Sequence, residues 1–132
     1  MLIRSFQKED IQPLTEILRA TGMFRPEEIE VAVELMNIVV DEQQQDYIMY
    51  TAVDNANVVR GYYCVGPTPM TVGTFDLYWI AVDPTRQRKG SGRELLSHCE
   101  SVVRSNQGHL IMVETSSQPK YEPTRKFYER SG

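Results

Sequence analysis

Residues 74–96, TFDLYWIAVDPTRQRKGSGRELL, decide the architecture: an apolar run ends in a basic, glycine-bearing turn that opens an amphipathic segment. The run at 74–82 is aromatic, β-branched and nearly uncharged, as expected of a strand covered on both faces. Asp83-Pro84 stops it, and over 90–104 Leu95, Leu96, Cys99, Val102 and Val103 recur at helical spacing. Between strand and helix stand Arg86, Arg88, Lys89 and Arg93, four cations within eight positions. Glycines let a ligand approach the backbone, the first turn of a helix leaves N–H groups unsatisfied, and the helix dipole adds positive potential. The turn is therefore expected to hold an anion such as a diphosphate; the bland alternative is a tight turn with a solvated basic face.

Toward the C-terminus, Gly108 is expected to supply the helix exit, residues 110–114 read as another strand, and residues 123–130 as a short helix. Toward the N-terminus, residues 58–65 and 46–53 are β-rich runs around Asp54-Asn55-Ala56-Asn57, which predicts an antiparallel hairpin, and Gly66-Pro67-Thr68-Pro69 is expected to break the chain after it. Pro26, Glu27 and Glu28 mark the start of a helix carrying Ile29, Ala32, Val33, Met36, Val39 and Val40 on its apolar side. A helix over 8–20, with Ile11, Leu14, Ile17 and Leu18 on one face, ends at Gly22, and residues 2–5 read as an opening strand. The order is β-α-α-β-β-β-α-β-α: a mixed α/β fold with a mainly antiparallel sheet flanked by helices, one domain over 1–132.

Composition narrows the function classes. The chain has 132 residues, 41% hydrophobic and 24% charged, the profile of a globular domain with one core. No apolar run nears the roughly 18 residues of a membrane span, and the start, MLIRSFQKED, is charged, so a cytoplasmic protein without membrane contact is expected. Cys64 and Cys99 sit in apolar patterns and read as core residues, while His98 and His109 lack metal-ligand spacing, so no metal is expected. A net charge of -4 argues against a nucleic-acid partner. The charge is uneven: residues 1–66 carry 5 Lys/Arg against 11 Asp/Glu and residues 67–132 carry 9 against 7, which assigns anion binding to the second half.

Two phosphate-binding motifs fail at the turn. Gly92 is followed by Arg93-Glu94 where a P-loop needs Lys-Ser/Thr, and Leu95 stands where a dinucleotide fold needs its third glycine. Gln87-Arg88-Lys89-Gly90-Ser91-Gly92 instead matches the signature Gln/Arg-x-x-Gly-x-Gly/Ala and resembles the GNAT superfamily of acyl-CoA-dependent N-acetyltransferases. Ile80-Ala81-Val82-Asp83-Pro84 before it, Arg93-Glu94-Leu95-Leu96 after it, and Phe127-Tyr128-Glu129-Arg130-Ser131-Gly132 resemble further segments of that family.

The resemblance implies a GNAT-like fold and transfer of an acetyl group from acetyl-CoA to a primary amine by direct attack in a ternary complex, without a metal. It implies that Gln87, Arg88, Lys89, Gly90, Ser91, Gly92 and Arg93 hold the diphosphate, and that the exposed backbone of Ile80, Ala81 and Val82 binds the pantetheine arm. Tyr128 corresponds to the tyrosine that protonates the departing sulfur, its alternative being a packed helix aromatic; Glu114 resembles a strand glutamate that serves as base, with Asp76 and water as rivals. Tyr121 stands where an asparagine is common. The family usually adds two strands after the position of Gly132, so the chain is expected to be truncated there, with an open edge beside 110–113 that a second copy would cover as a homodimer. The acceptor is expected to be a small-molecule or peptide amine; Glu27, Glu28, Glu30 and Glu34 either attract it or form a solvated helix face. The competing function is a non-catalytic acyl-CoA-binding module or scaffold with an incomplete acceptor site.

Overall fold

Leu14, Ile17 and Leu18 recur every third or fourth position and are buried, so the helix that carries them lies on the sheet rather than beside it. The computed structural model describes residues 2–42, 47–85 and 90–113. In chain order they form β1 (Leu2–Ser5), a 3-10 turn (Lys8–Asp10), α1 (Ile11–Ala20), α2 (Pro26–Glu42), β2 (Ile48–Val53), β3 (Val59–Pro67), β4 (Thr74–Val82), α3 (Ser91–Ser105) and β5 (Leu110–Val113). The strands make one sheet in the order β1-β2-β3-β4-β5. The first four pair antiparallel, and β5 joins β4 in parallel through the α3 crossover.

Each face of the sheet has its own apolar layer. One contains Leu14, Leu18, Ala32 and Met36 of α1 and α2 against Met49, Tyr62, Cys64 and Ala81 of the strands. The other contains Leu95, Leu96, Cys99 and Val103 of α3 against Tyr63, Val65, Phe75, Leu77 and Val82. β4 thus contributes to both layers, as its uniformly apolar sequence predicts. Both cysteines are free and buried, and burial pushes each thiol up to about 12, so they are inert packing residues. No described helix is long and apolar enough to cross a membrane.

Three expectations change in detail. The segment at 8–20 starts as a 3-10 turn because the Asp10 carboxylate accepts from the Gln7 N–H (2.9 Å) and tightens the entry; regular α-helix begins at Ile11. The hairpin strands lie two residues later at one end, Ile48 in place of 46 and Pro67 in place of 65, because Gly66 and Pro67 still pair with Asp76 and Phe75; the chain breaks only after Pro67. The left-handed residue behind α3 is Gln107 (φ 62°), not Gly108. Glycine is needed at 108 for space: a Cβ there would meet Val103 at 2.3 Å and the Phe75 ring at 2.8 Å. The last helix, expected over 123–130, lies outside the described residues, as does the last residue of the strand expected over 110–114.

Candidate functional site

A bulge in β4 sets the geometry. On β3, Cys64 faces Trp79 and Val65 faces Leu77, which leaves Tyr78 as an extra residue. The side-chain alternation therefore slips by one: Phe75 and Leu77 pack into the α3 layer before the bulge, Ile80 and Val82 after it, and Trp79 and Ala81 turn to the α1–α2 layer. A bulge also bends its strand. The parallel ladder with β5 runs from Thr74↔Leu110 to Leu77↔Val113, and beyond it the outer edge of residues 78–82 has no strand partner among the described residues. Ile80, Ala81 and Val82, the residues expected to receive the pantetheine arm, lie on that stretch.

The strand then enters the basic turn through a braced corner. Asp83 accepts from the Thr85 N–H (3.0 Å) and hydroxyl (2.9 Å), and its other oxygen accepts from Arg60 (2.9 Å). Arg60 also donates to Asp54 at 2.9 Å, tying the β2–β3 turn to the start of the β4–α3 loop, and its carbonyl accepts from the Asp83 N–H. Burial alone raises the Asp83 pKa, but the Thr85 and Arg60 hydrogen bonds outweigh it and hold the carboxyl below its ordinary value. Nothing local in the sequence pointed to this brace, because Arg60 and Asp83 are 23 residues apart.

At the far side of the turn Gly90 is left-handed (φ 78°) and caps α3 with no side-chain hydrogen bond. The first helical bond is that of the Glu94 N–H to the Gly90 carbonyl (3.1 Å), so the N–H groups of Ser91, Gly92 and Arg93 have no partner inside the helix. Ser91 is buried and Arg93 is exposed. These three residues and Gly90 are the described part of the turn that the sequence analysis expects to hold an anion. Gln87, Arg88 and Lys89 lie outside the described residues, and so do Glu114 and Tyr128.

Other polar groups have structural partners or lie elsewhere. The Tyr63 hydroxyl and His98 Nδ1 share a hydrogen bond of 2.7 Å, and burial lowers the His98 pKa, which favours the neutral ring. Among the described residues no group of three His, Cys, Asp or Glu side chains is placed to hold a metal ion. A groove of about 700 Å³ opens between α1 and α2, lined in part by Arg19, Ile29, Glu30, Val33, Glu34 and Asp41, away from the α3 start.

Comparison with known proteins gives concordant results. Residues 45–132 match the family model for the acetyltransferase (GNAT) domain. A crystal structure of a GNAT-family protein from Desulfovibrio desulfuricans is 42% identical with a TM-score of 0.90, over 99% of this chain and 83% of that one. The PaiA N-acetyltransferase of Thermoplasma acidophilum, crystallised with coenzyme A, is 20% identical with a TM-score of 0.80, over 99% and 87% of the two chains. An aminoglycoside 6'-N-acetyltransferase, also complexed with coenzyme A, is 22% identical with a TM-score of 0.74, over 100% and 84%. Those two likenesses concern the fold. No curated protein matches the chain.

Proposed function

The chain belongs to the GNAT acetyltransferase family, and from that premise we propose that it moves an acetyl group from acetyl-CoA to a primary amine by direct attack in a ternary complex. The observation that carries this reading is the uncapped start of α3: Gly90 holds a left-handed turn and leaves the N–H groups of Ser91, Gly92 and Arg93 for an anion. Gln87, Arg88, Lys89 and Arg93 add charge around the diphosphate. The pantetheine arm lies as an extra strand along Ile80, Ala81 and Val82, and one of that strand's N–H groups polarises the thioester carbonyl. The amine nitrogen bonds to the acyl carbon as the C–S bond breaks; Glu114 or water takes the amine proton and Tyr128 gives one to the sulfur. Two neighbours of the same fold were crystallised with coenzyme A, which agrees with that cosubstrate.

Calorimetry with coenzyme A tests the binding half, and thiol release from acetyl-CoA with a panel of amines tests the transfer. Binding together with release is the expected result. Tyr128→Phe should lower kcat at least about 100-fold, in the range of general-acid contributions, at unchanged coenzyme A affinity. Binding without release for any amine would leave a non-catalytic acyl-CoA-binding module; absence of binding would remove both readings. The expected cytoplasmic location and the pairing of two copies along the outer edge of β5 belong to the same reading, the latter checked by light scattering.

A further inference from the structure

Arg60 and Gly61, consecutive residues of β3, meet the two ends of the glycine-bearing turn. At the first end, two aspartates use their oxygens alike. Asp54 Oδ1 accepts from the N–H groups of Ala56 (2.8 Å) and Val58 (3.0 Å) and holds the β2–β3 turn, as Asp83 Oδ1 holds Thr85. The Oδ2 of each takes one nitrogen of Arg60, Nε for Asp54 and Nη1 for Asp83, both at 2.9 Å and partly buried. At the second end, Gly61 faces Val82 across the ladder. A Cβ there would stand 2.6 Å from the Ala81 carbonyl oxygen and 3.2 Å from Leu95 Cδ1. The missing side chain thus lets Leu95, one turn into α3 and fully buried, settle directly on the β3–β4 backbone.

The chain that leaves β4 and the helix that follows are therefore both hung from neighbouring residues of one strand. We propose that Arg60 is a positioning residue for the diphosphate of the cosubstrate. Through Asp83 and Thr85 it fixes where the chain departs from β4, while Gly61 seats α3, so that the N–H groups of Ser91, Gly92 and Arg93 stand in a set place relative to that departure. Arg60 acts through the carboxylates that its Nε and Nη1 hold. An anion shared among several N–H groups is bound best when they already converge; a loose turn must be ordered on binding, at a cost in affinity. A guanidinium suits this task because its planar fork reaches two carboxylates in fixed directions. By charge alone a carboxylate beside an anion site repels the ligand, so Asp83 aids binding only through what it holds.

This role rests on the acetyl-CoA reading, and its test separates the two. Coenzyme A affinity of the full chain is measured by calorimetry, and acetyl-CoA KM and kcat by thiol release with an amine that the wild type turns over; calorimetry decides by itself where no amine is turned over. Arg60→Ala should weaken coenzyme A binding and raise the KM about tenfold or more, with kcat within about twofold, because the brace lies at the diphosphate and not at the thioester. Asp83→Asn distinguishes positioning from charge. It removes a negative charge, which by itself would tighten anion binding, yet its amide has one oxygen and cannot serve both Thr85 and Arg60. Binding weaker by about threefold or more is expected, and the double variant should bind no more weakly than Arg60→Ala, since the two changes break one brace. Arg104→Ala, which removes a cation from the exposed Arg104–Glu100 pair of α3, should leave all values unchanged. Thermal melting checks that each variant is folded, and the milder Asp83→Asn carries the test where Arg60→Ala is not. Unchanged affinity in Arg60→Ala, tighter binding in Asp83→Asn, or a fall in kcat at unchanged KM overturns the proposal and leaves the cosubstrate reading intact. A wild type that binds no coenzyme A overturns both.

Discussion

The protein begins two of its helical segments in opposite ways. Ahead of α1, a buried carboxylate is matched within the chain: Asp10, 2% exposed, accepts from the Gln7 N–H, from the Thr51 hydroxyl at 2.9 Å and from two nitrogens of Arg4 at 2.8 and 2.9 Å. Ahead of α3, Gly90 offers no side chain at all and three N–H groups have no partner among the described residues. A carboxylate at a helix entry that is bonded to partners within the chain stabilises the fold, whereas a helix start that begins with a glycine can keep its positive potential for a ligand. The same kind of segment is structural in one place and, in the function proposed above, a binding site in the other.

The sharpest way to break the contrast is to open the closed start. Asp10→Ala strands the Arg4 guanidinium, itself about one-fifth exposed, and orphans Thr51 and the Gln7 N–H; a loss of about 2–3 kcal/mol is expected, below the full cost of a deeply buried pair. Denaturant melts measure it, and coenzyme A affinity should stay within about twofold. The reverse experiment closes the open start: Gly90→Asp adds strain at φ 78° and a carboxylate that competes for the N–H groups. Calorimetry should show coenzyme A affinity weaker by about 100-fold, equivalent to about 2.7 kcal/mol, while the melting temperature moves little. An unchanged affinity would mean that the α3 start is not the diphosphate site.

Acid gives a smaller signal of definite sign. Burial alone raises the Asp10 pKa, but the bonds from Arg4, the Gln7 N–H and Thr51 outweigh it, so the folded value lies below the ordinary one. Its stabilisation is present above the ordinary carboxylate pKa and is lost as the pH falls through the lowered folded value. Denaturant midpoints should therefore drop below about pH 4, and Asp10→Asn should flatten that drop. The least effect belongs to a buried polar group with neither arrangement: the Tyr62 hydroxyl is buried in the α1–α2 layer without a hydrogen-bond partner among the described residues. Tyr62→Phe should leave stability unchanged or raise it by up to about 1 kcal/mol; a clear loss in the melt would reveal a partner for that phenol.

Much of the fold was legible because its signals are local. The apolar spacing of α1, α2 and α3, the turn residues at 54–57 and the uniform β4 each announce an element within a short window, and Gly90 marked the open helix start in the same way. The bulge was not legible: in a strand apolar on both faces but for Asp76, too few polar residues mark the alternation to reveal that it slips at Tyr78. Nor was the Asp54–Arg60–Asp83 brace, whose members come together only once β3 and β4 are paired. Gly108 was placed correctly at the α3 exit for the wrong reason, since crowding by Phe75 and Val103 appears only when the sheet packs on the helix.

Taken alone, the sequence determined the succession of elements as far as Val113, the division of charge between the two halves and the place of the glycine-bearing turn between β4 and α3, because periodicity, propensity and helix-start chemistry act between near neighbours along the chain. The tertiary structure decided which residues of β4 face which layer, where β4 parts from β5, and that Arg60 meets Asp83. Those outcomes depend on the register between strands, and register is fixed by partners distant in sequence.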